Sequence, residues 1–386
     1  MCIRDSSYID AVSSWWVNIH GHAHPYIAKK VAEQLYQLEH VIFAGFTHPT
    51  AIELAERLLM LLPNSQKKVF YSDNGSTAVE VAIKMCLQYW SNQDKPRTKI
   101  LAFKNAYHGD TFGAMAVSGR SAFTAPFDSL LFQVEFIDLP DAANIGALKF
   151  QISNLKSDLA CFIYEPLVQG SGGMLMYEAH YLNELIQHCR QEGIMTIADE
   201  VFTGFGRTGQ RFATDWMDSK PDIMCFSKGL TGGTMALGIT TCTQQIYDAF
   251  LSDDRHKTLF HGHSFTANPV ACSAALASMD LFLEPQTNAN IQRVTEQHRQ
   301  FGAKIEFHPR IKAVRQTGTI LAMEWETDSG TSYFSNLRDQ LYEYFLFEGI
   351  ILRPLGNVLY ILPPYCITDE QLGYIYSRIE HALENL

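Results

Sequence analysis

Residues 196–233 read TIADEVFTGFGRTGQRFATDWMDSKPDIMCFSKGLTGG, and the fold turns on how they are parsed. Two short apolar runs, 194–198 and 222–226, have the length and the bounding turn residues of buried strands in an α/β sheet. Just past them stand Asp199 and Lys228. Ligands of parallel α/β sheets bind beyond the carboxyl ends of the strands, so an acid and a lysine delivered there face one bound molecule. A buried structural Asp–Lys pair is the plainer alternative.

Working toward the N-terminus, residues 67–72 read as a strand, 73–77 (Asp-Asn-Gly-Ser-Thr) as a turn and 78–89 as a helix. A helix start presents unpaired N–H groups and partial positive charge, so Gly75 and Ser76 suit a phosphate monoester; ordinary capping by Asn74 or Ser76 is the alternative. The next strand, 99–104, leads to Tyr107, whose ring is placed to cover one side of a flat ligand. His108 reads as a polar turn residue or a base, and Asp110 as a helix cap or a hydrogen-bond orienter. A further strand end at 161–170 brings Glu165 and Gln169 close, Glu165 reading equally as a structural carboxylate. Lysine, carboxylate, phosphate seat and aromatic face together suit pyridoxal phosphate. The lysine amine forms a Schiff base with its aldehyde, and the carboxylate keeps the pyridine nitrogen protonated.

The flanks add a pocket wall. Trp15 and Trp16 are adjacent and point in different directions, which frees one for a pocket. His20, His22 and His24 alternate, but the glycine and proline among them suit a tight turn and local hydrogen bonding better than a metal. Helical spacing follows at 27–38 and 52–62. Beyond Lys228 come a strand at 236–243, the loop 260–269 and a small-residue helix at 270–281. The pair His261 and His263 lacks the further ligands a metal needs. After a long helical pattern, strands are expected at 313–316, 319–325, 350–353 and 358–362, with helices at 336–347 and 368–383. Arg353, at a strand end before a Pro and Gly turn, offers a bidentate fork for a substrate carboxylate, and Tyr360 lines the same pocket.

Composition excludes several classes. With 386 residues and 47% hydrophobic content the chain buries a sizeable core. A net charge of −11 without any basic block disfavours nucleic acid, and no apolar run approaches the ~18 residues of a membrane span. The eight cysteines are scattered without C-x-x-C spacing and read as reduced thiols, which points to the cytoplasm. There is no secretory signal pattern at the start.

Asp199-Glu200-Val201, Gly204-Phe205-Gly206-Arg207-Thr208-Gly209, Ser227-Lys228-Gly229-Leu230 and Tyr107-His108-Gly109-Asp110-Thr111 resemble the class III aminotransferases along nearly the whole chain. The resemblance implies a pyridoxal-phosphate transferase of fold type I: α/β, a large domain with a mostly parallel central sheet and a smaller α+β domain built from both chain ends. Its expected parts are 1–48, the incomplete N-terminal part of the small domain with the tryptophan motif; 49–283, the large cofactor domain; and 284–386, the C-terminal part of the small domain. The family members most like this chain begin some tens of residues earlier, so a segment before the tryptophan motif is expected to be missing. The resemblance further implies a homodimer in which Gly262, His263 and Ser264 reach the neighbouring subunit's substrate and phosphate pockets; His263-Ser264 replaces the commoner Pro-Thr. It implies that Gln169 approaches the ring substituents and that Trp15 packs on an aliphatic substrate. Among family activities, the tryptophans and Arg353 favour transfer from S-adenosylmethionine to 8-amino-7-oxononanoate, as in biotin synthesis. Lysine as donor, an ornithine or 4-aminobutyrate transaminase, and a chain that binds cofactor without turnover stay open.

Overall fold

The computed structural model of the chain describes residues 6–327 and 336–386; Cys2 lies outside them. Seven strands make the central sheet: β1 Gln66–Ser72, β2 Lys99–Phe103, β3 Val134–Ile137, β4 Leu159–Tyr164, β5 Met195–Asp199, β6 Ile223–Phe226 and β7 Gly238–Thr243. Their spatial order is β1-β7-β6-β5-β4-β2-β3. Every pairing is parallel except those of β7, which runs antiparallel to both β6 and β1. A parallel neighbour requires a long crossover, whereas an antiparallel one accepts a direct return. The return from β6 to β7 holds only the short turn Lys228–Thr231 and a few residues after it, and that is where the lysine stands.

β4 is buried at every position because helices cover both sheet faces. Its side chains alternate between two cores: Phe162 and Tyr164 face one with Leu182, Leu185 and Met279, while Cys161 and Ile163 face the other with Val79, Ala82 and Cys86 of the helix Gly75–Asn92. That helix starts three residues before the apolar spacing announces it. Asn74 accepts from Thr77 N at 2.9 Å and the Thr77 hydroxyl accepts from Asn74 N at 3.1 Å, a reciprocal cap that periodicity does not register.

The smaller unit holds an antiparallel sheet of β8 Ile311–Thr317, β9 Ile320–Trp325 and β10 Val358–Ile361, with the helices Pro285–Ile305, Asn336–Phe347 and Asp369–Asn385. The chain start completes it: Ile9 and Asp10 pair in parallel with Ile350 and Ile351, and Leu362 N donates to Ala11 O at 2.9 Å. The expected strand at 350–353 ends at Ile351, because its partner strand is only two residues long. Six of the seven described cysteines are buried; Cys366 is exposed. Among the described residues no helix is long and apolar enough to cross a membrane.

Candidate active site

A cleft of about 630 Å³ opens at the carboxyl ends of β2, β4, β5 and β6 and is lined by Asp199, Lys228, Tyr107, His108, Gly75 and Ser76 among others. Lys228 follows β6 in a left-handed backbone conformation, φ 46°, which turns its side chain off the strand axis. Its Nζ lies 4.8 Å from the Trp16 ring centroid and 5.7 Å from that of Phe202. Burial lowers its pKa to about 8, against the opposing pull of the Asp199 and Glu165 carboxylates. No carboxylate lies within ion-pair distance of Lys228 among the described residues, so the plain structural Asp–Lys pair is not what the fold builds.

Asp199 ends β5 and is buried. Its carboxylate accepts from His108 Nδ1 at 2.7 Å and from Val201 N at 3.1 Å. His108 is thus more than a polar turn residue: its ring is fully buried, and its Nε2 has no partner. Tyr107 donates its hydroxyl to Asp110 at 2.9 Å, which makes Asp110 an orienter; the following short helix is preceded by Thr111. Burial first, and then the Asp110 hydrogen bond, push the Tyr107 phenol well above its usual pKa.

Opposite, the helix Gly75–Asn92 aims its first N–H groups at the cleft. Gly109 closes on this end so tightly that a Cβ there would sit 2.0 Å from Ser76 Oγ, and its φ of 134° is one that L residues rarely adopt. Gly109→Ala is therefore expected to destabilise the chain by about 1–3 kcal/mol, from overpacking and backbone strain together. Urea denaturation measures it.

The tryptophan pair divides in the opposite sense to the expectation. Trp16 is buried, lines the cleft, packs 4.6 Å from the Phe202 ring and donates from Nε1 to the Tyr360 hydroxyl at 3.1 Å. Trp15 is 54% exposed and stacks under Arg353, whose Cζ is 3.9 Å from its ring. Arg353, Trp15 and Tyr360 lie outside the lining of the cleft, and Tyr360 touches one of the lining residues, Trp16, through this hydrogen bond. Positive φ at Ser13, Ser14 and Trp16 produces this turn. Asp10 holds it, accepting from Ser14 N at 2.9 Å and Ser14 Oγ at 2.8 Å. Arg207, buried, donates to Pro363 O at 3.1 Å and to Trp16 O and Asn18 O at 3.4 Å, so it ties both chain ends to the large unit. Sequence reading quoted the motif around Arg207 and missed this use; the only signal was an arginine between two glycine turns.

Gln169 is fully buried, donates to Lys104 O at 2.9 Å and is not among the residues that line the cleft. His20 lies 3.0 Å from Ser278 Oγ and His22 2.9 Å from Asp10, so the histidines serve separate partners. Gly262, His263 and Ser264 are away from Lys228. They line a second groove of about 980 Å³ with Phe43, Thr47 and Tyr71.

A cleft with a single lysine and, at the adjacent strand end, a buried acid held by a histidine, beside a helix start, is the arrangement of a lysine-dependent transferase. The chain belongs to the class III aminotransferases, whose family model matches residues 3–383. It is 48% identical to the adenosylmethionine-8-amino-7-oxononanoate aminotransferase of Synechococcus elongatus, over 98% of this chain and 91% of that one. The enzyme of the same name from Geobacter sulfurreducens is 38% identical, with 98% and 88% covered. Among solved structures, that aminotransferase from Methanocaldococcus jannaschii superposes with a TM-score of 0.95 at 34% identity, covering 100% of this chain and 91% of that one. A PLP-bound amine transaminase from an uncultivated Pseudomonas species reaches 0.92 at 31% identity, with 99% and 91% covered.

Proposed function

We propose that the chain is a pyridoxal-phosphate-dependent transaminase of biotin synthesis, acting in the cytoplasm, that moves the amino group of S-adenosylmethionine to 8-amino-7-oxononanoate and releases 7,8-diaminononanoate. The observation that carries the chemistry is the unpaired Lys228 amine in a cleft that also holds Asp199, its carboxylate fixed by His108 at 2.7 Å. The 48% identity to a relative of that name supports the choice of substrates.

The residues present fit the cofactor: a lysine without an ion pair, a buried carboxylate held by His108 Nδ1 and Val201 N, and a helix start packed against glycine at Gly109. When bound, pyridoxal phosphate supplies an aldehyde for an amine and a ring that takes up the electron pair of the substrate carbon. Around it, Gly75 and Ser76 would hold the phosphate through backbone N–H groups and the Ser76 hydroxyl. Asp199 would hold the proton on the ring nitrogen, while Tyr107, its hydroxyl pinned by Asp110, covers a face. Lys228 Nζ, lowered to about 8 by burial, is partly unprotonated near neutral pH and takes the proton from the amine-bearing carbon of the substrate. Trp16 and Phe202 exclude water from that amine. Arg353, stacked on Trp15 outside the cleft lining, would receive the distant carboxylate, and Tyr360 steadies Trp16.

A second copy of the chain completes the site in this reading, bringing Gly262, His263 and Ser264 to the phosphate and substrate; Gln169 supports the ring side from behind. The groove beside that loop is bordered by the exposed side chains of Ile42, Ile52 and Phe265, at 58%, 45% and 63% exposure, an apolar surface that a partner would cover. Sedimentation is expected to give twice the mass of the chain. The reading is tested by incubating cofactor-loaded protein with 8-amino-7-oxononanoate and one donor at a time. Diaminononanoate formed with S-adenosylmethionine supports it. Product formed only with lysine moves the donor, and turnover of ornithine or 4-aminobutyrate alone moves the substrate class.

A further inference from the structure

Glu165 is a carboxylate that the proposed chemistry leaves unused. It is 3% exposed, lines the cleft, and makes no ion pair among the described residues. Burying an unpaired carboxylate is costly, so it is kept only where other groups hold it. Two do, and they come from different elements. Oε2 accepts from Tyr107 N at 2.9 Å, on the loop after β2, and Oε1 accepts from Gly170 N at 3.0 Å, at the end of the two-residue strand Val168–Gln169. One amide belongs to a residue that lines the cleft, and the other lies behind the cleft-lining rings of Trp16 and Phe202. Tyr107 carries the aromatic face. Gly170 is the backbone on which the other wall rests: a Cβ there would meet Trp16 Cζ3 at 3.0 Å and Phe202 Cδ1 at 3.2 Å. The main-chain carbonyl of Glu165 in turn accepts from the Tyr177 hydroxyl at 2.5 Å, which anchors the bracket to the core.

We propose that Glu165 is a positioning residue of the transamination site: one carboxylate, bridging two backbone amides, sets the spacing between the Tyr107 wall and the Trp16–Phe202 wall across Lys228. The same carboxylate keeps a negative charge near the lysine. The titratable and charged groups around it are Asp199, His108, Lys228, Tyr107 and Tyr177, with Arg207 acting on Lys228 in the opposite sense. Burial holds the Glu165 carboxyl at about 7, so it is mostly ionised where Lys228, at about 8, titrates. Removing the charge lowers the lysine further, because a nearby anion favours the ammonium form. This inference rests on the cofactor reading above, and the experiment separates the two.

The test uses the apo-protein as wild type, E165Q and E165D, each titrated with pyridoxal phosphate from pH 6 to 10. Capture is followed by absorbance and by the circular dichroism induced in the bound cofactor. Wild type is expected to capture with a midpoint near 8. E165Q keeps the shape but turns an NH₂ toward one of the two amides and loses the charge. Its midpoint is expected to fall by about half a unit or more. The induced dichroism weakens, and kcat falls about 10- to 100-fold with KM little changed. E165D keeps the charge and loses the reach, so its midpoint stays with wild type while the dichroism weakens. A carboxylate that merely stabilised the fold would leave midpoint and dichroism alone. E165Q or E165D with the wild-type dichroism overturns the proposal, and E165Q with an unmoved midpoint overturns the charge component. Where E165Q does not fold, the dichroism of E165D decides. Failure of wild type to capture the cofactor at any pH overturns the functional reading itself and this inference with it.

Discussion

Lys228→Ala is expected to remove transamination by a factor of about 10⁴ or more, since in the proposed reading the substitution deletes both the amine that bonds the cofactor and the group that moves the proton. No other lysine lines the cleft among the described residues, so nothing there substitutes for it. The change is also expected to alter stability with a definite sign. Lys228 is lowered from 10.5 to about 8 by burial. Between those values the unfolded chain binds more protons than the folded one, so wild-type apo-protein gains stability as pH rises through that window. Lys228→Ala loses this gain, so the urea midpoint of wild type rises relative to that of the alanine variant from pH 8 to 10.5. An alanine variant within tenfold of wild-type turnover would remove Lys228 from the chemistry.

The second large effect is expected at Asp199. Asp199→Asn keeps the volume but offers one acceptor where His108 Nδ1 and Val201 N now have two, at 2.7 and 3.1 Å. It also removes the larger of the two carboxylate charges that oppose burial in setting the Lys228 pKa, so that value moves below about 8. If Asp199 faces the ring nitrogen as proposed, losing its preorganised charge is expected to cost about 10²–10³-fold in kcat, a magnitude typical of such groups. Steady-state kinetics reads the loss, and the pH at which apo-protein captures the cofactor reads the lysine shift. A kcat within tenfold of wild type, with an unmoved capture midpoint, would mean that Asp199 serves the fold alone.

The parts of this molecule that sequence makes legible are those decided by local pattern. The run 194–198 becomes Met195–Asp199 and 222–226 becomes Ile223–Phe226, because continuous apolar runs of that length bury on both faces wherever they sit. The helix at 336–347 is found as Asn336–Phe347. By contrast β3, Val134–Ile137, passed unread: it is an edge strand, mostly half-buried, and carries a glutamate. The site divides the same way. Lys228, Asp199 and Tyr107 stand beside strand ends, and a strand end can be read. His108 finds Asp199 across 91 residues, Tyr107 finds Glu165 across 58, and Arg207 finds Trp16 across 191; no spacing rule spans such separations. Which of Trp15 and Trp16 faces inward depends on three left-handed residues in a turn, a conformation set by the contacts of Asp10 and Arg207 rather than by propensity.

In the proposed reaction the cofactor held in this cleft takes the amino group from one donor and passes it to one ketone, with Lys228 moving the proton. A single-turnover absorbance experiment on cofactor-loaded protein tests it most directly, with S-adenosylmethionine, lysine, ornithine and 4-aminobutyrate added separately. The account predicts conversion of the cofactor to its amine form by S-adenosylmethionine, and restoration on adding 8-amino-7-oxononanoate. Conversion by ornithine or 4-aminobutyrate and none by S-adenosylmethionine, or a cofactor band that no amine alters, would contradict it.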